Sequence, residues 1–540
     1  MANDILKATA PYNFIPVSDR IVGAAQDNEK LFSGTINCSL KALSPIFIGG
    51  ISKNSQGSSD DIPDHYFLKV NNDYIIPGAS IKGMLRNIVE TISCSSMSNV
   101  SDDKIFYRKV NANSEHPYKK HYPKPMNKPP YKPECYQGGF LKFENGEYIL
   151  EKAHVEQIYS DTDKDNVLIT GPLPGKSICN YYSFAEQKNP QRFKIEKSVY
   201  DDFINQMRNV ELQEKSWKSE KHKLTNGEGV KVFYTLDLNN KRKIDAIGFC
   251  VYFRRAYDKT PYQLIRNNIN DFSRTLFGRI DENCEDSSKS AVKGRVACLN
   301  AKFIGMPTPD NECELYLSSP HTTCIRHYLE QQTNDCGNPS NYNDPNAKLR
   351  GRKFYWNRTP VDRTPTAVEK GNVRIHPLAA GSKAEFSIVV DKITFVELGA
   401  ILEAIKLPSS FKDGHIHCHR IGGGKPAGLG AVEITVDSAK VQNVKDRYSS
   451  FKDRIENKVK TLTLAELEDA RKAFRDFIKN ETGIDFKDQP FYKPLRVMTD
   501  FSNPPSKDKT DYMPLSSTDR SKPSFANPGI LPTALEVKGI

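Results

Sequence analysis

The chain has 540 residues, carries a formal net charge of +11 and contains 24 Tyr and 27 Phe. This length allows two to four domains with cores of their own. The basic balance favours polyanionic partners, and the aromatic residues can serve base stacking as well as core packing. The sequence contains no run of about eighteen apolar residues, so we predict a cytoplasmic protein that makes no membrane contact.

Residues 36–42 alternate between apolar and polar side chains, which predicts a half-buried β-strand. The turn FIGG follows, and it leads into a polar loop that contains the acids Asp60, Asp61 and Asp64. Flexible carboxylates between two phosphate-holding segments suit a divalent cation, Mg²⁺ above all, placed against a scissile phosphate. A solvated turn is the other interpretation of this loop.

The segment IPGASIKGMLR at 76–86 predicts a turn followed by a helix. Ser80 is placed to cap that helix. Lys82 and Arg86 are four residues apart on one face near the amide-rich N-terminus, a geometry that suits a phosphate group. An ordinary capped surface helix with two solvated cations is the alternative.

Residues 101–136 interleave basic residues with tyrosines and are broken by several prolines. Such a segment is either a solvated, extended loop or a basic, aromatic wall for a single nucleic-acid strand. The patterns further on predict a helix within 195–222 and strands at 242–256 and 295–304.

Helices are predicted again in the last third of the chain. One follows Thr394, and Thr463 with Glu466 forms a possible capping box for another that ends at Gly483. Beyond Phe501 the sequence is rich in Pro, Ser and Lys, which predicts an extended tail.

A glycine-rich loop lies between two predicted strands at 415–436. Its backbone amides can approach a phosphate closely, and two cations add charge. Pro426 stands where a Walker loop has its Mg²⁺-binding hydroxyl, so this is not a Walker loop. A plain glycine hairpin is the alternative. The residues that could hold a phosphate here are Arg420, Gly422, Gly423, Gly424 and Lys425.

Histidines and cysteines give weaker metal signals. His415, His417 and His419 alternate and are predicted to share one face of a strand, where they could bind metal, act as acid and base, or face RNA. The eleven cysteines include no CxxC pair, so we expect neither a disulfide framework nor zinc. The set Cys313, His321, Cys324, His327 and Cys336 fits no usual zinc spacing.

The order of these motifs resembles the RAMP superfamily of CRISPR-associated proteins, specifically the backbone subunits of type III (Csm- and Cmr-like) effector complexes. The residues that carry the resemblance are FIGG, the acidic loop, IPGASIKG, LFG with GRVACLNA, and HRIGGGKPAGLGAVEI. It covers roughly 30–95, 270–305 and 380–438. PYNFIPV, SSPHTTCIRHYLE and GRKFYW resemble a variant of that family that carries a large insertion.

The resemblance implies an α+β fold with a ferredoxin-like (RRM-like) βαββαβ core, large irregular insertions and a C-terminal tail. The expected segments are 1–95 as the first half of the core, 96–270 as an insertion, 271–305 as a core strand region, 306–380 as a second insertion, 381–440 as the second half of the core, and 441–540 as the tail.

The resemblance also implies function. Guide RNA would be bound along its backbone beside sister subunits, with the guide phosphates held by Ser80, Lys82, Arg86, Arg420 and Lys425. In many members one loop aspartate cuts the paired target RNA with a divalent metal. Family position favours Asp64 for this role, and a count back from Ile76 favours Asp61.

Three hypotheses stay open. The first is a guide-RNA-binding backbone subunit that also cleaves target RNA through Asp64 or Asp61 with Mg²⁺. The second is a structural or capping subunit without cleavage. The third is a metal-independent guide-processing endoribonuclease that uses the histidines as acid and base. The expected partners are guide RNA, target RNA and other CRISPR effector subunits.

Overall fold

A computed structural model divides the chain into two compact units, Met1–Val100 with Leu264–Ile540, and Ser101–Gln263. The residues that the structure describes are 6–25, 30–53, 63–97, 100–108, 117–121, 137–158, 167–170, 180–207, 211–266, 270–280, 291–316, 324–331, 340–358, 372–407, 414–447, 449, 458–514, 516–519, 521–525 and 527–540.

The helices and strands follow one another along the chain in three groups. Up to residue 100 they are β1 (Tyr12–Ile15), β2 (Phe32–Ala42), β3 (Gly49–Lys53), β4 (Asp64–Phe67), β5 (Lys69–Val70), β6 (Asp73–Ile76) and α1 (Gly78–Ile92). From 101 to 263 they are β7 (Phe106–Tyr107), α2 (Pro117–Lys120), β8 (Gly138–Glu144), β9 (Glu147–Lys152), β10 (His154–Ile158), β11 (Val167–Thr170), β12 (Asn180–Ala185), β13 (Arg192–Ile195), α3 (Lys197–Met207), α4 (Glu211–Glu220), β14 (Val230–Leu236), β15 (Ile244–Gly248) and β16 (Arg255–Ala256). After 264 they are α5 (Phe272–Phe277), β17 (Arg279–Ile280), β18 (Ala291–Val292), β19 (Val296–Cys298), β20 (Ala301–Phe303), β21 (Cys313–Tyr316), β22 (Arg352–Tyr355), β23 (Asn372–Ile375), β24 (Lys383–Ile393), α6 (Phe395–Lys406), β25 (His419–Arg420), β26 (Ala431–Asn443), α7 (Val444–Arg447), β27 (Lys460–Thr461), α8 (Leu464–Thr482), α9 (Tyr492–Thr499), α10 (Lys507–Thr510) and α11 (Ala534–Lys538).

The main sheet of the first unit has nine strands, and its centre has the ferredoxin-like order. Strand β2 pairs antiparallel with β26 on one side and with β24 on the other, and β24 pairs antiparallel with β19 and β20. Helix α1 lies in sequence between β2 and β19, and α6 lies between β24 and β26. The order is therefore βαββαβ, which confirms the predicted α+β fold with its RRM-like core.

Local sequence explains why these core elements form where they do. Ile36, Cys38, Leu40 and Ala42 are all buried, as the alternation in β2 predicted. Helix α6 begins with a capping box between Thr394 and Glu397.

Helix α8 packs against α6 at a very short distance. It begins with the predicted capping box of Thr463 and Glu466, and it ends at Gly483, which has φ of 75°. A side chain at Gly399 of α6 would clash with the carbonyl oxygen of Ala470, so this approach of the two helices requires glycine.

The second unit contains a five-stranded sheet of order β13-β9-β8-β14-β15 and a three-stranded sheet of order β10-β12-β11. Helix α3 presents Val199, Phe203 and Met207 to a core shared with the five-stranded sheet. The helix predicted within 195–222 is confirmed, as the two helices α3 and α4.

Two predicted strands are shorter than expected. The strand predicted at 242–256 ends at Gly248 in β15, and the chain then turns back so that Phe253 packs against that glycine. The strand predicted at 295–304 is broken between β19 and β20, where the Asn300 side chain accepts a hydrogen bond from Gly78 N–H at 2.9 Å. In the second case, a contact distant in sequence therefore overrides the local alternation.

Candidate nucleic-acid interface

The start of α1 is fixed by Asn300 rather than by the residue that the sequence suggested. The helix begins at Gly78, Pro77 precedes it, and no side chain of the helix caps it. The Gly78 N–H instead donates to Asn300 Oδ1, and a side chain at Gly78 would clash with the Cys298 carbonyl oxygen. The prediction that Ser80 caps the helix is wrong, because Ser80 already lies inside the first turn.

Lys82 and Arg86 lie one turn apart on one face of α1. Arg86 Nε donates to Glu90 Oε1 at 3.1 Å, and the buried Glu90 also lies 3.8 Å from Arg352. The Lys82 ammonium lies next to Gly294. Of these two cations, Arg86 is therefore already paired with a carboxylate within the unit.

The glycine-rich loop is built around positive φ angles and a close approach of two backbones. Gly422, Gly424 and Gly430 have φ of 83°, 68° and 82°. A side chain at Gly422 would clash with the carbonyl oxygen of Phe47, and that same oxygen accepts a hydrogen bond from Gly423 N–H at 2.9 Å. The loop is thereby joined to the FIGG turn, and only glycine allows this geometry at Gly422.

A cleft of about 430 Å³ lies where α1, β22, the glycine loop and α9 meet. Its lining includes Ser80, Asn87, Lys353, Arg420, Gly422 and Lys425. Two segments that are more than three hundred residues apart in sequence thus form one concave surface. Of the predicted phosphate-binding residues within the described chain, Lys82, Arg86, Gly423 and Gly424 are not part of its lining.

The cations of the cleft are bound to neutral groups. Arg420 donates to the carbonyl oxygens of Lys425 at 2.6 Å and Gly428 at 3.3 Å, and it lies 3.4 Å from Asn357 Oδ1. Lys353 Nζ donates to Tyr328 Oη at 2.9 Å. Within the described residues, no carboxylate forms an ion pair with Arg420, Lys425 or Lys353.

Burial accordingly lowers the pKa of all three cations. The pKa of Arg420 is lowered to about 10 and that of Lys353 to about 8, in both cases chiefly by loss of hydration. Burial also lowers the pKa of Lys425, and the nearby Arg420 lowers it further. The cleft therefore holds positive charge that no carboxylate of the described residues balances, and an anion would be bound favourably there.

Lys353 and Asn87 are residues that the sequence reasoning missed. The segment GRKFYW was noted only for its resemblance, and it shows no alternation of polar and apolar residues that would predict a strand. In β22 Arg352 is buried, whereas Lys353, Phe354 and Tyr355 line the cleft. The local pattern therefore gave no signal for the position of Lys353.

Asp64, the predicted catalytic and metal-binding residue, lies at the start of β4 in a four-stranded sheet of order β21-β23-β4-β3. Its Oδ1 lies 3.7 Å from Arg374 and 3.5 Å from His376, and Arg374 also pairs with Glu314 at 2.8 Å. The other candidate, Asp61, lies outside the described residues, as does Asp60.

Within the described residues, Asp64 is not accompanied by a set of side chains that could complete a metal site. No group of three or more His, Cys, Asp or Glu side chains in the described part of the chain could hold a metal ion. The group that lies against Asp64 from the neighbouring strand is the guanidinium of Arg374. In the described set of residues, Asp64 is therefore a member of an ion-pair network across strands.

The strand that was predicted to carry the three histidines is shorter than expected, and the three side chains have different partners. His415 Nδ1 lies 2.8 Å from Asp500, and His417 Nδ1 lies 3.2 Å from Thr499 Oγ1. His419 is fully buried, with Nε2 2.8 Å from the Ile405 carbonyl oxygen, and burial lowers its pKa to about 4. Of this segment only residues 419–420 are in a strand, and His417 forms an antiparallel bridge with Asp500, the residue directly after α9.

Two other predicted clusters lie only partly within the described residues. His321 and Cys336 lie outside them, so the five-residue zinc candidate is incomplete. Much of the basic, aromatic segment 101–136 also lies outside them. In its described part, Lys104 pairs with Asp202 at 2.8 Å, Tyr107 stacks on Tyr257, and Tyr118 is buried. These contacts are internal to the second unit.

Comparisons with known proteins identify the family of the chain and a distant structural neighbour. A family model described as the RAMP superfamily matches residues 39–433. No curated protein matches the chain. The crystal structure of Thermofilum pendens Csc2 matches with 8% sequence identity and a TM-score of 0.25, over 86% of this chain and 88% of that chain. Such a TM-score supports no argument about the present chain. Of the helices that are described, none has both the length and the apolar character needed to cross a bilayer.

Proposed function

Because the chain belongs to the RAMP superfamily, we propose that it binds the phosphate backbone of CRISPR guide RNA as a backbone subunit of a type III effector complex. The observation that carries this proposal is the cleft, in which Arg420, Lys425 and Lys353 are half-buried without a carboxylate partner among the described residues. A phosphate would replace the hydration that these cations have lost.

The roles of the cleft residues follow from their contacts. Arg420 holds the carbonyl oxygens of the glycine loop and so fixes the position of Lys425, whose ammonium would contact the phosphate. Ser80 and Asn87 present a hydroxyl and an amide from α1, and both groups can donate to phosphate oxygens. Contacts of this kind bind RNA irrespective of its sequence, as a guide-binding subunit requires.

The proposal is tested by the affinity of the whole chain for single-stranded RNA. We expect Lys425→Ala to weaken binding roughly tenfold for every RNA sequence and to reduce the slope of log affinity against log salt by about one. Lys472→Ala, on the exposed face of α8, is the matched control. Lys82→Ala tests the face of α1 that does not line the cleft. An unchanged affinity and salt slope for Lys425→Ala would refute binding in the cleft.

Cleavage of target RNA by Asp64 or Asp61 with Mg²⁺ is the enzymatic extension of this proposal. The alternative is a non-catalytic or capping subunit, and the ion pairing of Asp64 with Arg374 favours it. The complex, assembled with its other effector subunits and guide RNA, should be given target RNA with Mg²⁺ or with EDTA. Asp64→Ala, Asp61→Ala and the double variant are compared. Mg²⁺-dependent cutting that the double variant loses supports catalysis here, and cutting that it retains removes both residues from that role.

A further inference from the structure

Lys353 lies in a pocket of tyrosines that opens onto the cleft. Its Nζ is 3.9 Å from the ring centroid of Tyr12, 5.3 Å from that of Tyr355 and 5.5 Å from that of Tyr328, and it donates to Tyr328 Oη at 2.9 Å. The pairing of β1 with β22 places Tyr12 opposite Tyr355 and Phe14 opposite Lys353. The pocket is therefore a fixed part of the fold.

The tyrosines hold the ammonium without neutralising it. The faces of the rings attract a cation, and a phenol oxygen accepts one of its three hydrogen bonds. Neither interaction supplies a negative charge, and none of the ion pairs in the described part of the chain includes Lys353. Two donor positions of the ammonium thus have no charged acceptor, on a side chain that lines the wall of the cleft.

We propose that Lys353 is a further phosphate ligand of this cleft, and that the tyrosine pocket holds its ammonium before RNA binds. The inference rests on the proposed function, since it assumes that RNA occupies the cleft. It adds a residue that neither the glycine loop nor α1 contributes, and it adds a dependence on protonation, because only the ammonium form attracts phosphate.

The pKa of Lys353 is lowered by burial to about 8, so its charge changes in a range where binding can be measured. The titratable and charged groups that face it are Tyr12, Tyr328, Tyr355 and Tyr512 around the pocket and Arg420 and Lys425 across the cleft. Burial raises the pKa of Tyr328, Tyr355 and Tyr512, so these phenols stay neutral at pH 9.

The sign of the effect follows from these values. A lysine with a pKa of about 8 is about nine-tenths protonated at pH 7 and about one-tenth protonated at pH 9. Bound phosphate would favour the ammonium, so binding takes up a proton and the affinity falls as the pH rises. Titration of Arg420 and Lys425 also changes the affinity with pH. Because these residues are present in every variant at Lys353, a comparison of those variants isolates the contribution of Lys353.

The experiment measures the affinity of the whole chain for an RNA of adenine and cytosine only, whose bases do not ionise between pH 7 and pH 9. We expect the unmodified chain to lose roughly tenfold in affinity over this range. Lys353→Met should bind roughly tenfold more weakly at pH 7 and should lose much less on going to pH 9. Lys353→Arg should bind at both pH values, because a guanidinium stays charged. Lys472→Met is the control for loss of a surface charge, and thermal unfolding establishes that each variant is folded.

The outcomes separate this inference from the proposed function. If Lys425→Ala weakens binding while Lys353→Met matches the unmodified chain at both pH values, RNA occupies the cleft and Lys353 is not a ligand. If Lys353→Met binds RNA more weakly but keeps the full pH dependence, protonation of Lys353 does not cause that dependence. The proposed role of its protonation is then overturned. If neither variant changes binding, the proposed site itself is wrong.

Discussion

The interface of α6 with α8 and the cleft both remove arginine from water, fully at Arg471 and in part at Arg420. Among the described residues, only the interface supplies carboxylates to its arginines. Glu403 of α6 is fully buried and lies 2.8 Å from Arg471 and 3.0 Å from Arg475, and Glu468 binds both arginines from the solvent side. In the cleft, Arg420 donates to backbone carbonyl oxygens. Balanced charge holds two helices of the fold together, whereas unbalanced charge is available to a ligand.

The largest effect is expected at the balanced site. Glu403→Gln keeps the shape of the side chain but leaves Arg471, which is 3% exposed, without its buried counter-charge. We expect a loss of about 3 kcal/mol in the free energy of unfolding, measured with urea. Glu481→Gln, at an exposed position of α8, the helix that carries Arg471, is the control and should change stability by less than about 0.5 kcal/mol. A small loss of stability for Glu403→Gln would mean that buried charge does not contribute more to stability at the helix interface than in the cleft.

Removal of a charge from the cleft should not lower stability, in contrast to its removal from the helix interface. Lys425→Met keeps the apolar stem of the side chain and removes a cation that burial and Arg420 both disfavour. We expect stability at pH 7 to stay unchanged or to rise by up to about 1 kcal/mol. Since the lowered pKa means that the folded chain releases this proton first, the cost of the lysine disappears as the pH rises, and the difference between the two proteins should shrink. A destabilised variant at pH 7 would show that Lys425 has a structural partner.

The smallest effect is expected at Asp64. The side chain is about one-third exposed, its two basic neighbours are 3.5 and 3.7 Å away, and Arg374 keeps Glu314 when Asp64 is changed. Asp64→Asn should cost about 0.5 kcal/mol, and it should leave the affinity for single-stranded RNA unaltered. A loss above about 2 kcal/mol in the free energy of unfolding, measured with urea, would mean that Asp64 stabilises the fold through its ion pairs as Glu403 does.

Elements whose signals are local could be predicted from the sequence. The alternation in β2 and the capping boxes of α6 and α8 depend on residues within one element, and the structure shows each of them. The ferredoxin-like core was predicted from the resemblance and is confirmed. The glycine loop and the two strands beside it are likewise present.

Features that depend on distant partners could not be predicted in this way. The start of α1 is set by Asn300, more than two hundred residues away, so the capping role of Ser80 was a wrong prediction. The histidines alternate in sequence as on a strand, but only His419 is in one, and His417 and His419 contact different elements, Thr499 of α9 and the carbonyl oxygen of Ile405 in α6. Lys353 was missed because its tyrosine neighbours come from β1 and from residue 328.

The hydrogen bonds from Arg420 to the carbonyl oxygens of Lys425 and Gly428 have a kinetic consequence. Because the Arg420 guanidinium already orders the glycine loop, binding of an RNA strand requires little further loss of chain entropy in this loop. Association should then be limited by diffusion and charge attraction, and the lifetime of the complex should be what mutations in the loop alter.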